Sequence, residues 1–200
     1  MTTVDTPTKF ASKYKLKSSR LQNWDYSTPG IYFITICTLN KNNFFGKIIN
    51  NQIELSKMGN IVKSELLKTF EIRKNIRLHQ YIIMPNHVHL LIEIKIQNIQ
   101  FNKCRDVARY VSTYNQSHVS TEENNKVFSK ISPKPNSISS IIRSFKSAVT
   151  HQINPKTIFF AWQPRYHDII IKDKQEFIKI KNYIINNPAY WQKDKFYSQM

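Results

Sequence analysis

Near the middle of the chain two apolar runs, Leu78-His79-Gln80-Tyr81-Ile82-Ile83-Met84 and His87-Val88-His89-Leu90-Leu91-Ile92-Glu93-Ile94, are separated only by Pro85-Asn86. Proline presets φ and asparagine bonds to nearby backbone, so this pair belongs in a tight turn. The spacing predicts an antiparallel hairpin at the centre of the fold, and the rest of the chain has to be built around it. Upstream, Gly30-Ile31-Tyr32-Phe33-Ile34-Thr35-Ile36-Cys37-Thr38 is rich in β-branched and aromatic residues. It reads as a buried strand bounded by Pro29-Gly30 and by Asn40-Lys41-Asn42-Asn43. Residues 44–54 add a short hairpin. Ser56 then stands as an N-cap before Met58, Val62, Leu66 and Phe70, whose i+4 recurrence predicts an amphipathic helix ending near Phe70.

In the second half, Ile138, Ile141, Ile142, Phe145, Val149 and Ile153 form a helical apolar stripe, with Arg143 and Lys146 off it and Pro155 closing the segment. Residues 166–171 read as a strand. Asp173-Lys174-Gln175-Glu176 is a capping-box pattern opening a last helix, which is expected to stop near Asn187 because Pro188 disfavours helical backbone in its predecessor. The order strand, helix, hairpin, helix, strand, helix predicts an α+β fold. It is a ferredoxin-like antiparallel sheet with helices on one face, plus a C-terminal helix. At 200 residues the chain is expected to be one domain. Residues 1–20 read as a basic arm, and residues 95–136, dominated by Asn, Gln, Ser and Lys, as a polar insertion or linker with a helical turn around 106–114.

Lys and Arg total 30 against 13 Asp and Glu, a formal charge of +17. That surplus points to a polyanionic partner. Gly30, Gly46 and Gly59 are the only glycines, so nothing after residue 59 can form a glycine-rich phosphate loop. ATP-driven and nicotinamide-driven chemistry are thereby excluded, and no nucleotide cofactor is expected. The few acidic residues offer no evident carboxylate triad of the kind a metal-carboxylate transposase needs. Cys37 and Cys104 form no C-x-x-C pair, which argues against a zinc knuckle and a disulfide framework. The first 20 residues lack an apolar segment, and no run approaches the roughly 18 to 20 apolar residues of a membrane span. A cytoplasmic protein with no membrane association is expected.

Alternation along a strand puts His87 and His89 on the same face. Two imidazoles so placed can share one divalent ion and leave positions open for phosphate oxygens. On spacing alone they read equally as two polar residues on the open face of a sheet.

Met84-Pro85-Asn86-His87-Val88-His89-Leu90-Leu91 resembles the signature of the HUH single-tyrosine transposases, in particular their REP-associated tyrosine transposase branch. Three further blocks resemble the same family in the same order: Arg20-Leu21 with Asp25-Tyr26 and Gly30 to Thr35, Trp162-Gln163-Pro164-Arg165-Tyr166-His167-Asp168, and Tyr183-Ile184-Ile185-Asn186-Asn187-Pro188. The resemblance implies a metal-dependent transposase of single-stranded DNA acting on hairpin, or palindromic, ends. It implies Tyr183 as nucleophile, a 5′-phosphotyrosine intermediate, and His87, His89 and Asn187 as ligands of Mg²⁺ or Mn²⁺. It also implies a homodimer in a prokaryotic, nucleoid-associated setting. Tyr183 and Asn187 are four residues apart and share a helical face. By periodicity alone Tyr183, beside Phe177, Ile180 and Ile184, reads as a core residue with its hydroxyl at the rim.

Met84 stands three positions before His87, where some relatives carry an acidic metal ligand, so Glu93, His79 and Asp168 are further candidates for the first shell. Arg143, Lys146, Arg165 and Arg20 are the residues expected near the DNA backbone. Trp24, Trp162 and Trp191 could stack on unpaired bases or serve as core. Two other readings stay open. One is a relaxase or replication-initiator nickase; the other is a non-catalytic nucleic-acid-binding ferredoxin-like module, against which stands the absence of a K/R-G-F/Y-G/A-F signature.

Overall fold

A computed structural model describes residues 24–95, 134–153 and 159–197. The basic arm with Arg20, nearly all of the polar insertion with Cys104, and Pro155 lie outside the described residues. The elements are β1 (Gly30–Cys37), β2 (Gly46–Ile49), β3 (Gln52–Leu55), α1 (Lys57–Glu71), β4 (Ile76–Met84), β5 (His87–Ile94), α2 (Ile138–Gln152), β6 (His167–Ile171) and α3 (Lys174–Asn186), followed by a 3-10 segment, Asn187–Lys193. The main sheet has the order β4-β5-β1-β6 with every neighbouring pair antiparallel, and β2 and β3 form a separate ribbon. β1 and β4, joined through α1, run in the same direction with β5 between them. This is the split βαβ arrangement of the expected ferredoxin-like sheet.

Residue alternation divides the sheet into two faces. Tyr32, Ile34 and Ile36 of β1 and Val88, Leu90, Ile92 and Ile94 of β5 pack against Val62 and Leu66 of α1 and the whole apolar stripe of α2. The other face carries Phe33, Leu91 and Ile171, covered by Ile184 of α3 with Phe177 and Ile180 beside it. β5 is therefore buried on both sides, which is why its sequence is a nearly continuous apolar run. His87 and His89 occupy the α3 face at the turn end of this strand.

Side chains cap the start of each helix, Ser56 and Asp173 as expected and Ser137 in addition. Ser56 Oγ accepts from Gly59 N at 3.0 Å, Ser137 Oγ from Ser140 N at 3.2 Å, and Asp173 Oδ1 from Glu176 N at 2.8 Å. The Glu176 carboxylate accepts from Lys172 N, one residue ahead of the cap, so the box is displaced by one position. Gly59 permits close approach in the first turn of α1: a Cβ there would stand 2.1 Å from the carbonyl oxygen of Phe45.

Helix α3 ends at Asn186, where it was expected to stop, but the chain does not leave helical geometry there. Asn187 keeps right-handed helical backbone (φ −55, ψ −40), and the chain continues as 3-10 helix through Lys193. Pro188 falls in the first turn of that segment, where its missing N–H has no partner to lose. β4 starts at Ile76, two residues before the expected strand, and β6 starts at His167. Tyr166 is buried instead, its hydroxyl 3.0 Å from Ser139 Oγ of α2. Among the described residues no helix is long and apolar enough to cross a membrane.

Candidate functional site

The β1–β5 register sets Thr35 opposite His89 and Cys37 opposite His87. Both imidazoles are fully buried, and their Nε2 atoms face each other at 3.0 Å. Each ring is held from its other nitrogen: His87 Nδ1 lies 2.8 Å from Asn86 Oδ1, and His89 Nδ1 lies 2.8 Å from Thr35 Oγ1. Burial, with the Lys195 and Lys41 ammoniums nearby, lowers the His87 pKa to about 3. Burial and then the neighbouring His87 push His89 well below its usual value, against the opposing pull of Asp194. Both rings are thus neutral at physiological pH, the form in which imidazole binds a metal. Burial pushes the Cys37 thiol up to about 11, so it is not a thiolate.

Helix α3 brings Tyr183 over this pair. Its hydroxyl is 3.3 Å from His89 Nε2 and donates to Asp194 Oδ2 at 3.2 Å, while its ring meets Phe33 edge-on at 6.0 Å. Burial, and next the Asp194 carboxylate, raise the phenol's pKa above its ordinary 10.0. One helical turn further on, buried Asn187 donates through Nδ2 to Asp194 Oδ2 at 2.8 Å, and its Oδ1 is buried without a hydrogen-bond partner. His87, His89 and Asp194 each offer a ligand atom within 4.8 Å of the others, and they are the group of three so placed among the described residues.

The fold therefore brings Tyr183, His87, His89 and Asn187 together, and Asp194, which the sequence did not point to, joins them. The sequence reading ended the last helix at Asn187; the 3-10 continuation that carries the chain back over the site is what delivers Asp194. The further ligand candidates stand elsewhere. His79 and Glu93 pair with each other at 2.8 Å, with the His79 ring 5.1 Å from Phe177 at the opposite end of α3. Asp168 accepts from Tyr26 Oη at 2.6 Å, on the α1 and α2 side of the sheet. None of these three joins the histidine pair.

Among the described residues the cations expected at DNA sit on α2 and in the segment before β6. Arg143 is exposed on α2, behind the sheet, and Arg165 is exposed in a left-handed turn (φ 67) before β6. Lys146 donates to the carbonyls of Gln163 (2.8 Å) and Arg165 and lies over the Trp162 ring at 5.9 Å. It fastens the segment that leads into β6 onto α2. Lys146→Met is accordingly expected to lower stability by about 1 kcal/mol, more than an ordinary surface lysine, as measured by urea unfolding. Of the tryptophans, Trp162 packs among Phe45, Phe145 and Phe160, and Trp191 is buried 5.9 Å from the His87 ring. Trp24 is the exposed one, at 40%.

No family model matches the chain. An uncharacterized protein of Haemophilus influenzae is 35% identical over 182 residues, spanning 90% of this chain and 92% of that protein. Among solved structures, a REP-associated tyrosine transposase bound to a REP hairpin is similar with a TM-score of 0.51 at 15% identity, over 86% of this chain and 73% of that one. At that identity the likeness is one of fold. It bears out the antiparallel sheet with a C-terminal helix.

Proposed function

We propose, from the premise that the chain belongs to one family with that Haemophilus influenzae protein and has the fold of a REP-associated tyrosine transposase, that it is a metal-dependent single-stranded DNA transposase acting on hairpin ends. The observation that carries this reading is the Tyr183 hydroxyl held 3.3 Å from His89 Nε2 and 3.2 Å from the Asp194 carboxylate, above two neutral, buried imidazoles. The solved relative's hairpin ligand supports the choice of substrate.

The residues present fit a divalent cation. His87, His89 and Asp194 would hold Mg²⁺ or Mn²⁺, and the orphaned Oδ1 of Asn187 supplies a further oxygen. Such an ion supplies Lewis-acid charge to the scissile phosphate when bound. The chain's own groups do the rest. Tyr183 Oη attacks phosphorus, the bond from phosphorus to the 3′ oxygen breaks, and a 5′-phosphotyrosine and a free 3′-hydroxyl result. Asp194 Oδ2 already accepts from the phenol and is placed to take its proton. Attack by a different 3′-hydroxyl on the phosphotyrosine rejoins strands without a nucleotide cofactor, because the phosphodiester bond energy is conserved.

The test is to incubate the full chain with 3′-labelled single-stranded palindromic ends and Mn²⁺ or Mg²⁺. A covalent protein–DNA band that vanishes with a chelator is expected; no band across a broad panel of ends with either cation would overturn the reading. The charge of +17 adds a second expectation. If six or more phosphates are neutralised, hairpin affinity falls by about 10³-fold or more between about 50 and about 200 mM salt in a filter-binding titration. An affinity flat over that range would remove the phosphate-led interface.

A further inference from the structure

Asn86 is the second residue of the β4–β5 turn and is wholly buried. Its backbone carbonyl accepts from Thr38 N at 2.9 Å and from Thr38 Oγ1 at 3.0 Å, which pins the residue. Its side-chain Nδ2 donates to the carbonyls of Lys41 (3.0 Å) and Phe196 (2.9 Å), and its Oδ1 lies 2.8 Å from His87 Nδ1. A carbonyl oxygen can only accept, so the two backbone partners fix which end of the amide is NH₂ and turn Oδ1 toward the imidazole. An amide oxygen also only accepts. His87 Nδ1 must then carry the ring proton, which in a neutral imidazole leaves Nε2 as a bare lone pair. That lone pair points to the place where His89 Nε2 and Asp194 converge. Thr35 gives His89 no such instruction, because a hydroxyl serves as donor or acceptor.

The same amide reaches the third member of the group. Phe196 N donates to Asp194 Oδ1 at 2.7 Å, while the carbonyl of Phe196 is held by Asn86 Nδ2. One residue's backbone thus connects the Asn86 amide to the Asp194 carboxylate.

We propose that Asn86 is the positioning residue of this centre: its amide fixes His87 as the Nδ1–H tautomer with Nε2 free for a metal, and through Phe196 it holds Asp194 on the same point. The proposal rests on the reading of His87, His89 and Asp194 as metal ligands. Partners that orient metal-binding histidines in this way are worth about 10- to 100-fold in metal affinity. An aspartate at this position keeps the acceptor but loses both donors, so it releases Phe196 and favours the imidazolium; an alanine loses the whole set.

The experiment is performed on the full chain. In the metal-free protein labelled with ¹⁵N-histidine, long-range ¹H–¹⁵N spectra near pH 7.5 are expected to give His87 a protonated Nδ1 and an unprotonated Nε2; the opposite tautomer would overturn the proposal. Free Mn²⁺ measured by electron paramagnetic resonance is expected to show binding about 10- to 100-fold weaker in Asn86→Asp and Asn86→Ala. Folded variants with wild-type Mn²⁺ affinity would also overturn it, and if neither variant folds the wild-type tautomer decides. Wild-type protein that binds Mn²⁺ yet forms no covalent DNA adduct removes the strand-transfer reading and leaves this one standing. Adduct formation together with unweakened Mn²⁺ binding in the variants does the reverse.

Discussion

Tyr183→Phe is expected to eliminate the covalent DNA adduct while leaving the fold and hairpin affinity nearly unchanged. The substitution removes one oxygen and keeps the ring that packs edge-on against Phe33 at 6.0 Å. The lost hydroxyl is at the edge of the site on a side chain that is 38% exposed, and its hydrogen bonds to His89 and Asp194 are long. The stability cost should therefore stay within about 1 kcal/mol. Catalytically the loss is of another order, because the proposed ester forms on the hydroxyl that this substitution removes. Tyr190 is 62% exposed and Tyr197 37% exposed, and neither hydroxyl is paired with the histidines or with Asp194 in the way that of Tyr183 is. Tyr190→Phe is the matched control and should keep the adduct. The comparison is made on denaturing gels with 3′-labelled ends, with thermal melts beside them. An adduct of undiminished yield in Tyr183→Phe would move the nucleophile to another residue and detach the α3 geometry from the chemistry.

What could be read from the residues and what could not divides along the range of the interactions. The stripe of α2, the cap at Ser56 and the two runs around Pro85-Asn86 each depend on residues within about four positions of one another, and their periods reappear in the packing. The histidine pair was legible for the same reason, since strand alternation is local. Asp194 was not. It reaches the pair only because the chain stays helical through Asn187 and Pro188 and then folds back, and that continuation depends on tertiary packing of buried Asn187, Pro188 and Trp191. Asn86 was hidden by a sufficient local explanation: its turn propensity accounts for its presence, while its side-chain bond to the Phe196 carbonyl spans 110 positions. The pairing of His79 with Glu93 likewise depends on a register irregularity between Leu78 and Gln80, which alternation alone does not foresee. Lys146 fell off the apolar stripe as read, but its charge suggested a phosphate where the fold supplies two carbonyl groups.

The buried imidazoles also make the metal-free protein acid-sensitive well above the carboxylate range. His87 has a pKa of about 3 in the folded chain against 6.5 in the unfolded one. Below about pH 6.5 the unfolded chain takes up a proton that the folded chain refuses, so the unfolded state binds more protons and stability falls as pH falls. The contribution is complete above the unfolded value and drains away from about pH 6.5 down to about 3. The limiting slope is about 1.4 kcal/mol per pH unit for one such group. His89 shifts in the same direction, with His87 and Lys195 reinforcing its burial and Asp194 opposing it. Together the two histidines approach at most about 2.7 kcal/mol per pH unit. Between about pH 6.5 and about pH 5 the loss is at most about 4 kcal/mol, a large share of a total stability of about 5 to 15 kcal/mol. Urea unfolding at about pH 7.5 and about pH 5 should show the loss, and the double variant His87→Gln with His89→Gln should flatten the pH slope even if it starts from a lower stability. Equal stability of the wild type at the two pH values would mean that the imidazoles are hydrated or already charged in the folded state, and neither condition is compatible with two neutral, buried imidazoles. Saturating Mn²⁺ should raise stability by RT ln(1 + [Mn²⁺]/Kd) at about pH 7.5 and progressively less toward about pH 5, because protons and the cation compete for the same nitrogen atoms.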